Sequence, residues 1–305
     1  MNIHPLLNSS SAVLTAGLVA VSMCLPQAHA VTIVHGSDSV DIDFVDIGNA
    51  GNVADTNGKG AVRYEYSIGT YEITSSQWAT VTTADANIET GTNPDPYTGS
   101  QPTASVSWYE AAKFANWLTS GDALLGAYQF SDATTFTGVN RATALSTYQT
   151  IYVIPNEDEW YKAAYLKSDG SAYTAYTTGD TAPTAGIDSN FDNVNTAPWN
   201  VGSGSVENNG TYDMGGNVQE WSETPYFSGG DHTAGLKPYG GDYISGSPLK
   251  LYWGGNSYSS TSGEFDTLGF RVASLSLPPS AVPEPSSGLL VIMGGMGALL
   301  RRKRG

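Results

Sequence analysis

One loop-forming stretch of the sequence carries oxygen-bearing side chains at a spacing that suits a hard cation. The segment "GIDSNFDNVNTAPWN" (186–200) places Asp188, Asn190 and Asp192 at alternate positions. Carboxylate and amide oxygens are the ligands that Ca²⁺ takes in proteins. The segment is not an EF-hand, because it lacks the glycine at the sixth position and the glutamate at the twelfth. The alternative to a calcium loop is an ordinary surface loop built from Asx turns.

A second stretch, "GTYDMGGNVQEW" (210–221), combines glycines, acids, an amide and aromatic residues. It could be a catalytic loop, a metal loop or a structural turn. Its glycines are typical of tight turns or of turns with positive φ. A buried Glu220 beside Trp221 must find hydrogen-bond donors. We interpret the stretch as structural, with Trp221 as a core anchor.

Several chemistries are excluded by the residues that are scarce. The only cysteine, Cys24, lies in the apolar N-terminal segment, so the rest of the chain has no disulfide and no thiol chemistry. After residue 30 the only histidines are His35, expected at a mobile terminus, and His232, expected in a solvated loop. They do not indicate a catalytic triad. A two-His-one-carboxylate iron site with Asp231 is disfavoured, because adjacent residues rarely form such a set.

The N-terminal segment has the features of a secretory leader. An apolar run from Ala12 to Leu25 precedes the small-x-small site Ala28-His29-Ala30. Residues 1–30 are therefore predicted to be a signal peptide that is cleaved after Ala30. The alternative, a single-span anchor, needs a longer apolar run.

The C-terminal segment (283–305) has three parts. Pro283-Glu284-Pro285 precedes an apolar and glycine-rich run over 288–300, and four basic residues follow at 301–304. As a helix, that run would be about 20 Å long, which is short of the roughly 30 Å hydrocarbon core. The basic residues favour the cytoplasmic side. This end resembles a PEP-CTERM sorting signal, which implies recognition and removal by an exosortase in a Gram-negative envelope; the alternative is an ordinary tail anchor.

The chain between these ends is long enough for one large domain, and it is acidic. The full sequence of 305 residues carries a formal net charge of −16. Nucleic acid is excluded as a partner, because phosphate contacts need clustered Lys and Arg. The acidity suits solubility outside the cell and cation binding.

Regular elements are predicted to be few and short, because turn-forming residues interrupt the chain every few positions. Capping patterns place helix starts after Thr74, Ser107 and Asn156, each followed three positions later by Gln or Glu. Each helix carries a tryptophan that we expect in the core: Trp78, Trp108 and Trp160. The helix after Ser107 also aligns four apolar residues on one face, namely Ala111, Phe114, Ala115 and Leu118. Strands are expected at 64–73, 151–155 and 269–277, and a long loop at about 168–209.

Five pieces of sequence in order resemble the formylglycine-generating-enzyme, or sulfatase-modifying-factor, domain. They are "YSIGTYEITSSQW" (66–78), "SVSWYEAAKFANWL" (105–118), "IPNEDEWYKAAY" (154–165), "GTYDMGGNVQEW" (210–221) and "LGFRVA" (268–273). The resemblance spans 41–274, and 275–282 reads as a linker to the C-terminal segment. It implies an α+β fold, namely a loop-rich, single-domain, formylglycine-generating-enzyme-like variant of the C-type lectin fold.

The resemblance also implies metals. Enzymes of this family hold copper(I) on two cysteines between a "GGS-aromatic" motif and "GFR", but the matching piece here (240–271) contains none. Ser245 and Ser247 cannot replace thiolates, so no copper is expected. The family's first calcium site, carried over, falls on the carbonyls of Gly215 and Val218 and the carboxylate of Glu220. Its second calcium site falls on the loop with Asp188, Asn190 and Asp192.

The expected function is therefore that of an exported, non-catalytic module of the outer surface or matrix, binding a glycan or exopolysaccharide. The tyrosine-rich segment 239–258 is the candidate face, unless its tyrosines pack the C-terminal sheet. The alternative is a divergent oxidase of the formylglycine-generating type, or a non-heme iron oxygenase with other ligands.

Overall fold

The computed structural model describes residues 28–89, 91–226, 231–233, 235–247 and 259–277. The predicted leader as far as residue 27 and the sorting segment 283–305 lie outside the described residues, as does 248–258 within the candidate tyrosine face. Within the described ranges, no helix combines the length and the apolar composition needed to cross a membrane.

The described chain forms four helices and ten strands, joined by long irregular segments. The helices are α1 (Ser75–Ala84), α2 (Trp108–Ser120), α3 (Arg141–Tyr148) and α4 (Glu157–Tyr165). The strands are β1 (Ala28–His35), β2 (Asp38–Ile47), β3 (Tyr66–Gly69), β4 (Tyr128–Asp132), β5 (Thr135–Val139), β6 (Thr150–Val153), β7 (Gln219–Pro225), β8 (Leu236–Tyr239), β9 (Leu268–Gly269) and β10 (Ala273–Ser276).

The strands form three sheets. The largest has the order β1-β2-β3-β10-β6, and all its neighbours are antiparallel. A second sheet has the order β8-β7-β9, in which β7 and β9 are parallel; β4 and β5 pair as a hairpin. The last strand of the described chain, β10, therefore lies inside the largest sheet, between β3 and β6.

The first hairpin extends the domain towards the N-terminus. β1 pairs with β2 from Ala28 to His35. Val40, Ile42 and Phe44 of β2 are buried in the core, because every second residue of a strand lies on the same face. The fold thus begins before the boundary predicted at 41. The predicted cleavage after Ala30 falls inside β1, so three residues of this strand would leave with the leader.

The helix starts agree with the capping patterns. Thr74, Ser107 and Asn156 each accept a hydrogen bond from the backbone of the third helical residue, whose own side chain returns a bond to the cap. Both bonds satisfy amides that would otherwise lack partners at the first turn. The three predicted helices are confirmed.

The tryptophans belong to the core, as predicted. Trp108 and Trp160 are fully buried and Trp78 is 4% exposed. Trp78 stacks on Phe114 of α2 at 5.6 Å between ring centroids, and Phe270 meets both rings edge-on. The four residues of the predicted apolar face of α2 are all buried. Packing of aromatic side chains from distant segments therefore holds the helices to the sheet.

Other elements differ from the prediction. The strand expected at 64–73 is limited to β3, and the one expected at 269–277 is interrupted at 270–272 between β9 and β10. At this interruption, Phe270 O and Val272 O accept bonds from Ile73 N and Gly69 N, so the backbone stays paired outside a regular ladder. Helix α3 and the hairpin β4–β5 were not expected.

The long loop is confirmed and is broader than predicted. No helix or strand occurs from 166 to 218, all of which the structure describes. Asn209 holds its far end, because its Nδ2 donates to the carbonyls of Ala163 (2.9 Å) and Leu166 (2.6 Å) at the C-terminus of α4. The loop is therefore attached to the frame at the point from which the 210–221 turn departs.

Candidate functional site: the 210–221 turn and its buried charges

The 210–221 turn follows a path that few residue types adopt. Asp213, Gly216 and Asn217 all have positive φ, at 59°, 100° and 64°. At Gly216 an added Cβ would lie 2.5 Å from the carbonyl oxygen of Asn190, so only glycine fits. The 210–221 turn therefore lies in direct contact with Asn190 of the predicted calcium loop.

Glu220, at the start of β7, forms a buried ion pair with Arg271. The guanidinium Nε lies 2.8 and 2.7 Å from the two carboxylate oxygens, and Nη2 lies 2.6 Å from Oε1. Trp160 Nε1 donates to Oε2 at 2.7 Å. Both side chains of the pair are fully buried. Both carboxylate oxygens of Glu220 are thus used by protein donors.

Arg271 also joins two backbone segments. Its Nη1 donates to Gly69 O at 2.9 Å, and its Nη2 donates to Tyr212 O at 2.8 Å. A longer bond of 3.3 Å reaches Thr70 O. The planar guanidinium therefore fixes the end of β3 and the 210–221 turn around Glu220.

Three further buried acids hold the turn. Glu72 accepts from Asn217 Nδ2 and Val218 N, at 2.8 and 3.2 Å. Glu207 accepts from the amides of Met214 and Gly215 and from the hydroxyl of Thr211. Asp213 accepts from Trp199 Nε1 and Gly202 N, both at 2.7 Å. These carboxylates act as acceptors for amides that the irregular backbone leaves unpaired.

The cluster has an excess of negative charge. Burial raises the pKa of Glu72 well above its usual range, and the charges of Asp213 and Glu220 raise it further. Burial also raises the pKa of Asp213, and raises the pKa of Glu207 to about 7. Arg271 opposes all three shifts. One guanidinium therefore faces Glu72, Glu207, Asp213 and Glu220 within the part of the chain that the structure describes.

One of the three ligands predicted for calcium at this turn already has another partner, because the carboxylate of Glu220 is paired with Arg271. The other two predicted ligands are the backbone carbonyls of Gly215 and Val218. No group of three or more His, Cys, Asp or Glu side chains with metal-site geometry occurs among the described residues. Calcium at the carbonyls of this turn stays a prediction.

The side chains predicted to bind calcium in the 186–200 loop have different partners. Asp188 accepts from Thr184 N and Ser205 Oγ. Asn190 is fully buried and donates to Asn217 Oδ1 at 3.2 Å. Asp192 is exposed with φ at 59°. The bonds of Asp188 and Asn190 to neighbouring segments match the ordinary-loop alternative, and the carboxylates keep spare acceptor capacity. Calcium at this loop stays a prediction.

The two histidines pack on the two ends of α2. His35 lies edge-on to Trp117 at 5.0 Å and bonds to Leu118 O, while His232 lies 5.9 Å from Trp108. They are not the mobile terminal residue and the solvated loop residue that the sequence suggested. Nine helical positions separate Trp108 from Trp117, about 13 Å along the axis. His35 and His232 therefore do not share a metal site.

The region that matches the family's cysteines is only partly described. Ser245 is buried, its hydroxyl donates to Asp242 Oδ1 at 2.9 Å, and it accepts from Asp242 N at 3.1 Å. Tyr239 and Tyr243 are also buried, so they pack the interior rather than form an exposed face. Ser245 thus closes a local turn.

Removal of the Arg271 guanidinium should destabilise the fold more than removal of the Glu220 carboxylate. We expect Arg271→Met to lower the free energy of unfolding by about 3–5 kcal/mol or more, because Glu220 would be left as an unpaired buried charge among other acids. Glu220→Gln should cost less, since Arg271 keeps Glu72 and Glu207 nearby. Urea unfolding followed by tryptophan fluorescence measures both changes.

The exposed pair Lys167–Asp180 supplies a control for that comparison. Its side chains are 40% and 65% exposed, so Lys167→Met should cost less than about 1 kcal/mol. A larger loss for Glu220→Gln than for Arg271→Met would contradict the role assigned to the guanidinium.

Stability should fall as the pH rises through the titration of Glu207. Between its ordinary pKa of 4.5 and its folded pKa of about 7, the folded chain holds a proton that the unfolded chain has released. The free energy of unfolding therefore loses about 3 kcal/mol from this group across that window.

Glu207→Gln removes the titrating group, so the free energy of unfolding should lose about 3 kcal/mol less across this pH window than in the unaltered chain. This holds even if the substitution changes stability at every pH by a constant amount. Urea unfolding at several pH values between 4.5 and 7 measures the slope. Asp38→Asn, at an exposed position, should leave the slope unchanged. Parallel curves for Glu207→Gln and the unaltered chain would contradict the assignment.

Comparison with protein families identifies a match along most of the chain. The model described as the sulfatase-modifying factor enzyme 1-like domain matches residues 20–275. A curated relative, Chaperone protein LppX of Paenibacillus barcinonensis, is 26% identical over 180 residues, which is 52% of this chain. The match spans 61% of that relative's length.

Solved structures share the fold at low sequence identity. Treponema denticola variable protein 1 has a TM-score of 0.56 at 19% identity, over 81% of this chain and 99% of its own. CarF has a TM-score of 0.60 at 21% identity, over 78% and 99%. PvdO from Pseudomonas aeruginosa has a TM-score of 0.52 at 18% identity, over 77% and 95%.

The resemblance carried by the five motifs, the mixed α+β architecture and the family match agree over the same residues. The chain belongs to the sulfatase-modifying factor enzyme 1-like domain family.

Proposed function

We propose that this chain is an exported surface or matrix protein whose domain binds a glycan or exopolysaccharide and has lost the oxidase chemistry of its family. The observation that carries the proposal is the absence of cysteine from 240–271, where the family's copper ligands lie. A serine hydroxyl is neither a copper(I) ligand nor a redox partner at neutral pH.

The surroundings of Ser245 support the same proposal. In the described part of that region, Ser245 is buried and bonded to Asp242 within one turn. Both of its hydrogen-bonding functions are used locally. The residue therefore contributes to structure and presents no nucleophile.

The ends of the sequence support export. In this proposal residues 1–30 direct secretion, 283–305 anchors the chain transiently in the membrane, and an exosortase removes the anchor. The mature protein then resides on the outer surface, or in the extracellular matrix, of a Gram-negative bacterium.

The architecture supports recognition. Long loops held on a rigid, buried frame can vary in sequence without loss of the fold. The acidic surface disfavours anionic polymers, so neutral or amine-bearing saccharides are the compatible class.

Binding of the purified full chain to the exopolysaccharide of its host tests this function. We expect saturable binding that is lost on unfolding in urea, because loops must be positioned by the frame. An unrelated anionic polysaccharide is the control, and absence of binding to the host polymer contradicts the proposal. Oxygen uptake with a cysteine-containing peptide, after copper or iron loading, should stay at the buffer rate; uptake above it would favour the divergent oxidase.

Calcium at the 186–200 loop is a second part of the proposal. If the loop binds Ca²⁺, EDTA at fixed ionic strength should lower the melting temperature by several degrees, since a ligand bound only by the folded state stabilises it. Asp192→Asn should abolish the effect of EDTA, because it removes an exposed carboxylate without loss of a core contact. An unchanged melting temperature in the unaltered chain would rule calcium out.

A further inference from the structure

A cleft of about 430 Å³ lies between α1 and a wall formed by Glu89 and the loop 94–99. This volume is within the range of small-molecule sites in proteins. The cleft is separate from the 210–221 turn, and neither the calcium prediction nor the residues that match the family's cysteines involve it.

The loop that forms one wall is held in place by buried and half-buried acceptors. Gly91 N donates to Glu110 Oε1 at 2.7 Å, and Asn93 N donates to Glu264 Oε2 at 2.8 Å. A Cβ at Gly91 would lie 2.1 Å from the carboxylate of Glu264, so a larger residue there would displace that side chain. Because these contacts fix the loop, the cleft is pre-organised and a ligand need not order it.

The other wall is the N-terminus of α1. Ser76 N donates to Gly99 O at 3.0 Å, which ties the helix to the end of the loop. Ser75 also lines the cleft, and its Oγ is buried without a hydrogen-bond partner.

The charge of the lining is negative. Glu89 and Asp95 line the cleft, and none of the residues that line it is Lys or Arg. Burial raises the pKa of Glu89, and the neighbouring carboxylates of Glu110 and Asp95 raise it further. These carboxylates repel one another, so a cationic group between them would be stabilised and an anionic one repelled.

The rest of the lining is mixed. Hydroxyl groups come from Ser76, Thr82 and Thr98, and apolar surface comes from Pro94 and the half-buried ring of Tyr97. Hydroxyls and carboxylates can exchange hydrogen bonds with the hydroxyls of a sugar, while its C–H face needs an apolar contact. A simple amine would use only the carboxylates, and a neutral sugar would leave their charge uncompensated.

We propose that this cleft binds an amino sugar with a free ammonium group, with the ammonium facing Glu89 and Asp95 and the ring between the hydroxyls and the apolar surface of Pro94 and Tyr97. The inference rests on the proposed glycan-binding function and narrows it to a site and a ligand class.

Isothermal titration of the full chain with a β-1,4-linked glucosamine disaccharide, at a pH where its amines are protonated, tests the proposal. The N-acetylated disaccharide is the matched ligand, because it keeps the ring and loses the charge. We expect the free amine to bind at least about tenfold more tightly.

Two variants locate the site. Glu89→Gln keeps the size of an exposed side chain and removes its charge, and should weaken binding of the free amine about tenfold. Ala79→Leu fills the cleft from an exposed position on α1 and should abolish binding. Glu65→Gln, at an exposed glutamate outside the cleft, is the control and should bind as the unaltered chain does.

The outcomes separate the two proposals. Loss of binding in Glu89→Gln and Ala79→Leu, with Glu65→Gln unchanged, supports the cleft. Equal binding by all variants, or equal affinity for both disaccharides, overturns the cleft and leaves a glycan site elsewhere. Failure to bind the disaccharide while the host polysaccharide still binds also overturns only the cleft. Failure to bind either overturns both proposals.

Discussion

The ion pair between Glu220 and Arg271 is the interaction on which the rest of the structure depends. It lies where the 210–221 turn, the end of β3 and the segment between β9 and β10 meet, and water is excluded from both partners. An unpaired charge at that depth would be strongly destabilising. The irregular backbone around it is therefore tolerated only in the arrangement that brings these segments together.

This arrangement gives the acids around the most recognisable motif a structural role. They accept hydrogen bonds from amides of the turn, and Glu220 is paired with Arg271. Ser245 follows the same pattern on a smaller scale. Around the turn, the polar groups of the frame therefore face one another.

Local patterns in the sequence predicted what is determined locally. Capping residues, apolar periodicity and tryptophans identified three helices and their buried faces, because these signals act over three or four positions. Helix α3 has the cap Asn140 but Thr143 in place of Glu or Gln, so its signal is weaker. The acid cluster could not be assembled from sequence, since Glu220 and Gly69 lie 51 and 202 positions from Arg271. The one usable signal was chemical: a buried glutamate in "QEW" needs a donor, and "GFR" supplies an arginine.

The central place of β10 in its sheet has a consequence for the order in which the protein forms. A nascent chain that ends before Ala273 leaves the edges of β3 and β6 unpaired, and one that ends before Arg271 leaves four acids without their cation. Open strand edges favour association with other chains. The domain can therefore close only after nearly all of it has been synthesised.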